Sequence, residues 1–156
     1  MKKGDLTAKL YDELKKRNLF EEEDKDESDN EGGSTNKDFS NMVSVLLHSQ
    51  TQVHVFHLQT KSYSEHKALQ NYYEGIDGLV DGVIESYQGK YGVIMNYTNF
   101  NLMQYQSCEG IQEYFMALNT TVEMLRQDVP DSYLQNQIDN VIELIQSTLY
   151  KLKYLK

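Results

Sequence analysis

The fold is indicated most directly by one stretch of the chain, Asn71-Tyr-Tyr-Glu-Gly-Ile-Asp-Gly-Leu-Val-Asp-Gly-Val-Ile-Glu85. In a helix that turns by about 100° per residue, its apolar side chains share one arc. Its carboxylates share a neighbouring arc, which also includes His66 and Gln70 one to two turns earlier. The spacing predicts an amphipathic helix from about Ser64 to Gln88, capped by Ser62 or Ser64, that stops at Gly89. Its row of carboxylates should face water or a second helix.

A second amphipathic helix is predicted immediately before it, over residues 41–59. Apolar residues recur there at intervals of three and four, so Gln50, His54 and His57 share the stripe that should face the core. His48 lies off the centre of that stripe, and we interpret it as a surface or partner-binding residue. The sequence therefore places imidazoles and carboxylates on two neighbouring helices.

Two more helices are predicted in the C-terminal half. Ser107 is the expected cap of one that ends near Asp128, and Pro130 with Asp131 begins the last. Both carry apolar side chains at intervals of three and four, as the seam of a helical bundle does. Residues 90–106 are rich in Tyr, Asn and Gln without a clean period, which favours a crossover with some helix.

The predicted fold class is all-α, a four-helix bundle with a short N-terminal helix and an acidic linker. Residues 1–20 are an amphipathic segment, and residues 21–39 form an acidic run with the composition of a flexible linker or docking strap. The bundle would occupy residues 40–156, with Asp38 or Ser40 capping its first helix. Three interior glycines in the second helix predict close approach by another helix or subunit, since each weakens a helix. They are Gly75, Gly78 and Gly82.

Composition excludes several classes of protein. A chain of 156 residues with a net charge of -9 fits one domain and disfavours a generic binder of the phosphate backbone. A single cysteine, Cys108, rules out an intramolecular disulfide framework and favours a reducing, cytoplasmic compartment. No apolar run has the length of a membrane span, and the first residues lack the apolar core of a signal peptide.

The histidines and carboxylates resemble those of one known family, the Dps-like branch of the ferritin-like proteins (DNA protection during starvation). His54-Val-Phe-His57 is similar to the motif that ends the family's first helix. On the second helix, the remaining family positions match at the same intervals, with a glutamine where the family has an aspartate. The resemblance implies five candidate metal ligands: His57, His66, Gln70, Asp81 and Glu85.

What the resemblance implies is a ferritin-like bundle that binds ferrous iron, oxidises it to the ferric state and sequesters it. The two histidines would come from one subunit and Asp81 with Glu85 from its two-fold mate, so a homo-oligomer is expected. Gln70 offers a neutral oxygen in place of a carboxylate, which should weaken binding of a second hard cation. Four more carboxylates on the last two helices are further candidate ligands: Glu109, Glu113, Asp139 and Glu143.

Other readings of the same residues stay open. A stripe of acidic residues on a helix is most often solvated, and a histidine on an apolar stripe is most often a hydrogen-bonded core residue. The runner-up is a non-enzymatic structural or interaction protein, for example one carried by a phage within its virion, whose N-terminal helix and strap dock on a protein partner. A nucleic-acid-binding role is disfavoured, because it needs a basic face. Only the N-terminal segment, with Lys15, Lys16 and Arg17, supplies one.

Overall fold

The computed structural model describes residues 33–155, and this part of the chain is all-helical without a strand. Four helices follow one another, which confirms the predicted helical bundle: α1 (Gly33–Gln59), α2 (Tyr63–Tyr91), α3 (Cys108–Gln127) and α4 (Ser132–Tyr154). The predicted N-terminal helix over residues 1–20, and the linker as far as residue 32, lie outside the described residues. No helix between residues 33 and 155 combines the length and the apolar character that crossing a membrane requires.

Helices α1 and α2 form an antiparallel hairpin whose register is fixed at three levels. At one end, the ring of Phe39 stacks on that of Tyr87 with centroids 3.6 Å apart. In the middle, the hydroxyl groups of Ser49 and Tyr72 are hydrogen-bonded at 2.8 Å, and both residues are fully buried. At the other end, beside the short connection between the helices, the ring of His57 stacks on that of His66.

The other helices complete a ring of four neighbours. Gly75 of α2 lies beside Leu144 of α4, and Ser86 accepts a hydrogen bond from Gln137, so α2 and α4 are antiparallel. Helices α3 and α4 form a second antiparallel hairpin, and α3 also packs against α1. The centre is filled by large buried side chains from all four helices, among them Leu46, Leu69, Ile76, Ile111, Phe115, Leu134, Ile138 and Ile145.

Residues 92–107 form a crossover that contains no helix, which corrects the expectation of some helix there. The crossover runs along α1, from its middle to its C-terminal end, and polar side chains of α1 hold its backbone. Ser44 accepts a hydrogen bond from the Thr98 amide, Gln52 bonds both the amide and the carbonyl of Met103, and Gln59 accepts from the Tyr105 amide. The crossover therefore returns the chain to the end of the bundle where α1 stops.

Two of the four helices are capped at their start by a predicted residue. The side chains of Ser62 and Ser107 accept hydrogen bonds from backbone amides in the first turns of α2 and α3. Helix α2, however, continues past Gly89 to Tyr91 and stops at Gly92, whose φ of 92° is readily adopted only by glycine. Asp131 precedes α4 without capping it.

Helix α1 begins at Gly33, ahead of the predicted start. Asp38 and Ser40 lie within the helix instead of capping it, because buried Phe39 extends the apolar face that packs on α2. Side chains of α4 lie near two of the three glycines of α2: an added Cβ would lie 3.4 Å from Leu144 at Gly75 and 3.9 Å from Gln137 at Gly82. A Cβ at Gly78 would meet nothing within 4 Å.

Candidate metal centre

The candidate centre lies at the turn between α1 and α2. Helix α1 ends at Gln59, and Ser62 caps α2 by accepting a hydrogen bond from the Glu65 amide. The Glu65 carboxylate reaches back to Thr60, whose hydroxyl donates to it at 2.6 Å, and it also accepts from the Tyr105 hydroxyl at 3.1 Å. This network ties the turn to the crossover, so the last turn of α1 and the first turn of α2 are held side by side.

His57 and His66 are brought together by this turn. Their rings stack face to face, with centroids 3.6 Å apart and planes inclined by 26°. The Nδ1 atom of His57 donates to the carbonyl of His66 at 2.9 Å, and the Nδ1 atom of His66 donates to the carbonyl of His57 at 3.1 Å. Each imidazole is therefore fixed by the backbone of the other helix.

The reciprocal hydrogen bonds decide the tautomer of both rings. A carbonyl oxygen can only accept, so each Nδ1 carries a proton, and in the neutral ring the lone pair resides on Nε2. Metal-binding histidines commonly have this arrangement, in which one ring nitrogen donates to a carbonyl and the other binds the ion. The tautomer of the His57–His66 pair therefore leaves Nε2 of each ring as the nitrogen that could bind a metal ion.

Aromatic side chains surround the pair. The ring of Tyr73 meets that of His57 edge to face at 5.1 Å between centroids, and it stacks on His54 at 4.4 Å. His57 is buried, as predicted, but His54 is exposed, so the prediction that both histidines share the core stripe is wrong for His54. The reason is that His54 covers the outer side of Tyr73, which itself shields His57.

Asp81 and Glu85 lie far from the histidines of their own chain. They are exposed on α2, the helix that carries His66 near its beginning. Fifteen residues separate His66 from Asp81, which corresponds to about 22 Å along the helix axis. Within residues 33–155, no group of three or more His, Cys, Asp and Glu side chains is positioned to hold a metal ion. The matched spacing is present, but one chain does not bring the two halves together.

Gln70 lies one turn from His66 and is engaged on both sides. Its carbonyl oxygen accepts a hydrogen bond from Lys67 at 2.7 Å, and its amide donates to Glu74 at 2.8 Å. These contacts form a polar ladder along the exposed side of α2. The Gln70 oxygen keeps a second lone pair that could bind a metal ion, but the ammonium group of Lys67 beside it would repel a cation.

The other candidate ligands are placed apart from the histidine pair. Asp139 accepts two hydrogen bonds from Arg126, at 2.5 and 2.7 Å, and Arg126 holds the pKa of this carboxyl below its usual value. Glu109, Glu113 and Glu143 are exposed on α3 and α4. None of these four residues is grouped with His57 and His66 in the described part of the chain.

Cys108 begins α3 close to the turn between α1 and α2. Its thiol lies 3.6 Å from the carbonyl oxygen of Leu152 and receives a hydrogen bond from Gln112. Burial raises the pKa of the thiol, and the carboxylates of Glu65 and Glu109 add to this effect. A raised pKa keeps the thiol protonated, so Cys108 lacks the thiolate character of a nucleophile or a metal ligand.

Sequence reasoning missed the residues that build the support of the site. The spacing of Ser62 and Glu65 is that of a capping box, and it could have identified Glu65 as part of the turn. The contact between Glu65 and Tyr105 joins residues 40 positions apart, and nothing in the local pattern indicates it. His48, interpreted as a surface or partner-binding residue, is half-buried, with its Nε2 atom buried and its ring against Phe100 of the crossover.

Residues 57–152 match the model of one protein family, described as a family of unknown function (DUF5856). The match covers more than half of the chain, so the chain belongs to this family. All five residues of the candidate site lie within the matched range. No curated protein and no solved structure shows a significant match.

Proposed function

We propose that this member of the DUF5856 family binds ferrous iron and oxidises it at a site built by two copies of the chain. The observation that carries the proposal is the pair formed by His57 and His66. Two imidazoles from different helices are locked by reciprocal bonds into the tautomer that leaves both Nε2 atoms as nitrogen ligands. The same bonds also join α1 to α2, so the proposal depends on what the two Nε2 atoms bind.

The topology supports the same proposal. Two antiparallel hairpins are joined by one crossover that runs along α1 from its middle to its C-terminal end, and ferritin-like bundles likewise join two helical hairpins by one long crossover. Such bundles place metal sites between helices, using His and carboxylate side chains. We therefore extend the helical bundle to a ferritin-like fold as part of the proposal, with a cytoplasmic or virion-associated homo-oligomer as its setting.

A second copy would complete the site by supplying Asp81 and Glu85. Since these residues and His66 share α2, the two α2 helices must run antiparallel for the halves to meet. The point midway along α2 between His66 and residues 81–85 is at the level of Gly75. The two-fold axis would therefore cross α2 at that level. The open space beside Gly78 leaves room for a partner helix on the same side of α2.

The chemistry assigned to these residues follows from their ligand types. His57 and His66 supply neutral nitrogens that suit ferrous iron, while Asp81 and Glu85 supply anionic oxygens that favour the ferric product. Two ferrous ions each give up one electron to one dioxygen, which takes up two protons from water and leaves as hydrogen peroxide. Tyr73 and the buried surroundings of His57 limit the access of solvent to the histidine side of the site.

The proposal is tested by titrating the metal-free protein with ferrous iron under air and following ferric absorbance. Saturable, fast oxidation that is lost in His57→Ala and in Asp81→Ala is the expected result. The matched controls are His54→Ala and Asp77→Ala, which remove an exposed histidine from α1 and an exposed aspartate from α2. Rates equal to buffer alone, or equal loss in the controls, would overturn the assignment.

Mixing the two inactive variants tests whether the site is shared. A mixed dimer of His57→Ala and Asp81→Ala chains contains one site with all its ligands and one that lacks two of them. If subunits mix at random, half of the dimers are mixed, so about a quarter of the wild-type sites should return. Restored oxidation supports a site between copies, and its absence in mixed dimers would refute it.

The second candidate is a non-enzymatic interaction module, and a specific observation favours it. A single chain brings together no group of three metal-ligating side chains between residues 33 and 155. In that case the histidine pair serves only to close the hairpin of α1 and α2. Absence of ferrous and zinc binding by calorimetry, with an unaltered fold, would favour this function over iron oxidation.

A further inference from the structure

The crossover and the part of α1 beneath it are almost free of charge. Residues 92–107 contain no acidic or basic side chain, and their titratable groups are Tyr97 and Tyr105. Between Asn41 and Val53, α1 carries a single titratable side chain, His48. If His48 is protonated, neither segment therefore offers a carboxylate that could pair with its positive charge.

His48 occupies the central position of the contact between these segments. Ser44, His48 and Gln52 are four residues apart on α1, so they lie on one face of the helix. Ser44 bonds the crossover at Thr98, and Gln52 bonds it at Met103. Between them, the ring of His48 packs on Phe100 with centroids 5.3 Å apart.

The crossover provides a hydrogen-bond partner for only one of the two ring nitrogens of His48. Its Nε2 atom is buried and has no hydrogen-bond partner. Burial lowers the pKa of His48, and a hydrogen bond with the backbone of Asn101 offsets part of this effect. No charged side chain in the described part of the chain contributes to the shift. Protonation would thus place a charge and an unpaired N–H group in a desolvated position.

We propose that His48 is an acid-sensitive latch that holds the crossover on α1 when neutral and releases it on taking up a proton. The released crossover carries Ile94 and Met103 away from the helices they cover, while the four-helix core stays packed. Release adds their apolar surface to that of Val93 and Met95, which are already exposed. The device does not depend on iron and stands apart from the proposed oxidation site.

The direction of the effect follows from proton linkage. In the released crossover, His48 is hydrated and has the ordinary affinity of a histidine for protons, whereas in the closed form its affinity is lower. The equilibrium therefore shifts toward the released form as the pH falls below about 6.5. Between pH 7.5 and 5.5, the population of the released form should rise by up to about tenfold.

Hydrogen exchange of the crossover amides measures this release. The amides of Thr98, Met103 and Tyr105 are the reporters, because side chains of α1 accept their hydrogen bonds. In the wild-type protein, their protection factors, corrected for intrinsic rates, should fall by up to about tenfold between pH 7.5 and 5.5. The amides in the middle of α2 and α4 should keep their protection over the same range.

Two variants separate the latch from general acid sensitivity. His48→Phe keeps a ring at this position without a titrating nitrogen, and its crossover should stay protected at pH 5.5. His54→Phe removes an exposed histidine from the same helix and should behave as the wild-type protein does. Protection that is independent of pH in the wild type, or an equal loss in His48→Phe, would overturn the proposal. If His48→Phe fails to fold, the wild-type comparison decides: simultaneous loss in the crossover and the helices contradicts a latch, and selective loss supports it.

Discussion

Gln52→Leu is predicted to destabilise the protein, because Gln52 holds the crossover on α1 through two hydrogen bonds. Gln52 is fully buried, and its amide acts as a substitute peptide group toward the crossover. It donates to the Met103 carbonyl at 2.8 Å and accepts from the Met103 amide at 2.7 Å. Leucine has a similar volume, so the change removes the hydrogen bonds while retaining most of the packing.

The magnitude can be worked from these two bonds. Each backbone group left without a partner in a desolvated place costs about 1–3 kcal/mol. Met103 is only partly buried, so water can replace some of the loss, and about 2–4 kcal/mol is expected for the pair. With a typical urea slope for a chain of this size, the midpoint of unfolding should fall by roughly 1–2 M.

Equilibrium unfolding in urea, followed by circular dichroism, measures this loss. Gln146→Leu, at an exposed position in the interior of α4, is the matched control and should change the free energy of unfolding by less than about 0.5 kcal/mol. A loss of similar size in both variants would refute the reasoning, because burial and pairing would then have no special effect.

Gln52→Glu refines the test through pH. A carboxylate keeps the acceptor for the Met103 amide but faces the Met103 carbonyl without a proton to donate. Burial and the carbonyl should raise the pKa of this glutamate in the folded state, so the stabilising protonated form is lost as the pH rises. The deficit relative to the wild type should therefore shrink between pH 7 and pH 5. A deficit that grows toward pH 5 would contradict the assigned hydrogen bonds.

The remaining predictions concern glycine and charge. Gly78→Ala should raise the free energy of unfolding by about 1 kcal/mol, because the added Cβ meets nothing within 4 Å and alanine favours the helix. Gly92→Ala, at a φ of 92°, should lower it by about 1–2 kcal/mol, and thermal unfolding of both variants at several protein concentrations checks the pair. A Gly78→Ala protein that is less stable only at concentrations where the wild type self-associates would place this face at a contact between copies. The hydrogen bonds from Lys90 and Tyr91 lower the pKa of Asp131. The ionised carboxylate therefore stabilises the folded state at neutral pH, and this stabilisation is lost as the pH falls below the ordinary pKa of an aspartate. In Lys90→Met, NMR titration should find the pKa of Asp131 closer to its ordinary value, and an unchanged pKa would show that the ion pair is absent in solution.

The helices were predictable from sequence because their signals are local. Apolar spacing identified all four, and the serine caps at Ser62 and Ser107 fixed two of their starts. The predicted start of α1 and the predicted end of α2 were both wrong. Helix α1 is extended by the packing of Phe39 on Tyr87, and α2 continues past Gly89 because nothing there requires a positive φ.

The crossover could not be predicted in the same way, since its structure depends on distant partners. Its backbone is satisfied by Ser44, Gln52 and Gln59, which are about 50 residues away in sequence. The same dependence explains why His48 was misinterpreted. A position off the apolar stripe of α1 faces the crossover and not water, and only the path of the crossover reveals it.

At the candidate site, the resemblance to the Dps-like family predicted that His57 and His66 come together, but it could not predict the reciprocal bonds between them. Those bonds also close the hairpin of α1 and α2, so loss of oxidation in His57→Ala would by itself leave open whether a ligand or the local fold was removed. Asp81 is the cleaner probe, because it is exposed, makes no ion pair within the described residues and lies about 22 Å from His66 along α2. An Asp81→Ala chain that keeps its urea midpoint and loses oxidation would assign the carboxylate directly to iron. Unchanged oxidation in that variant would confine any metal chemistry to the histidine pair.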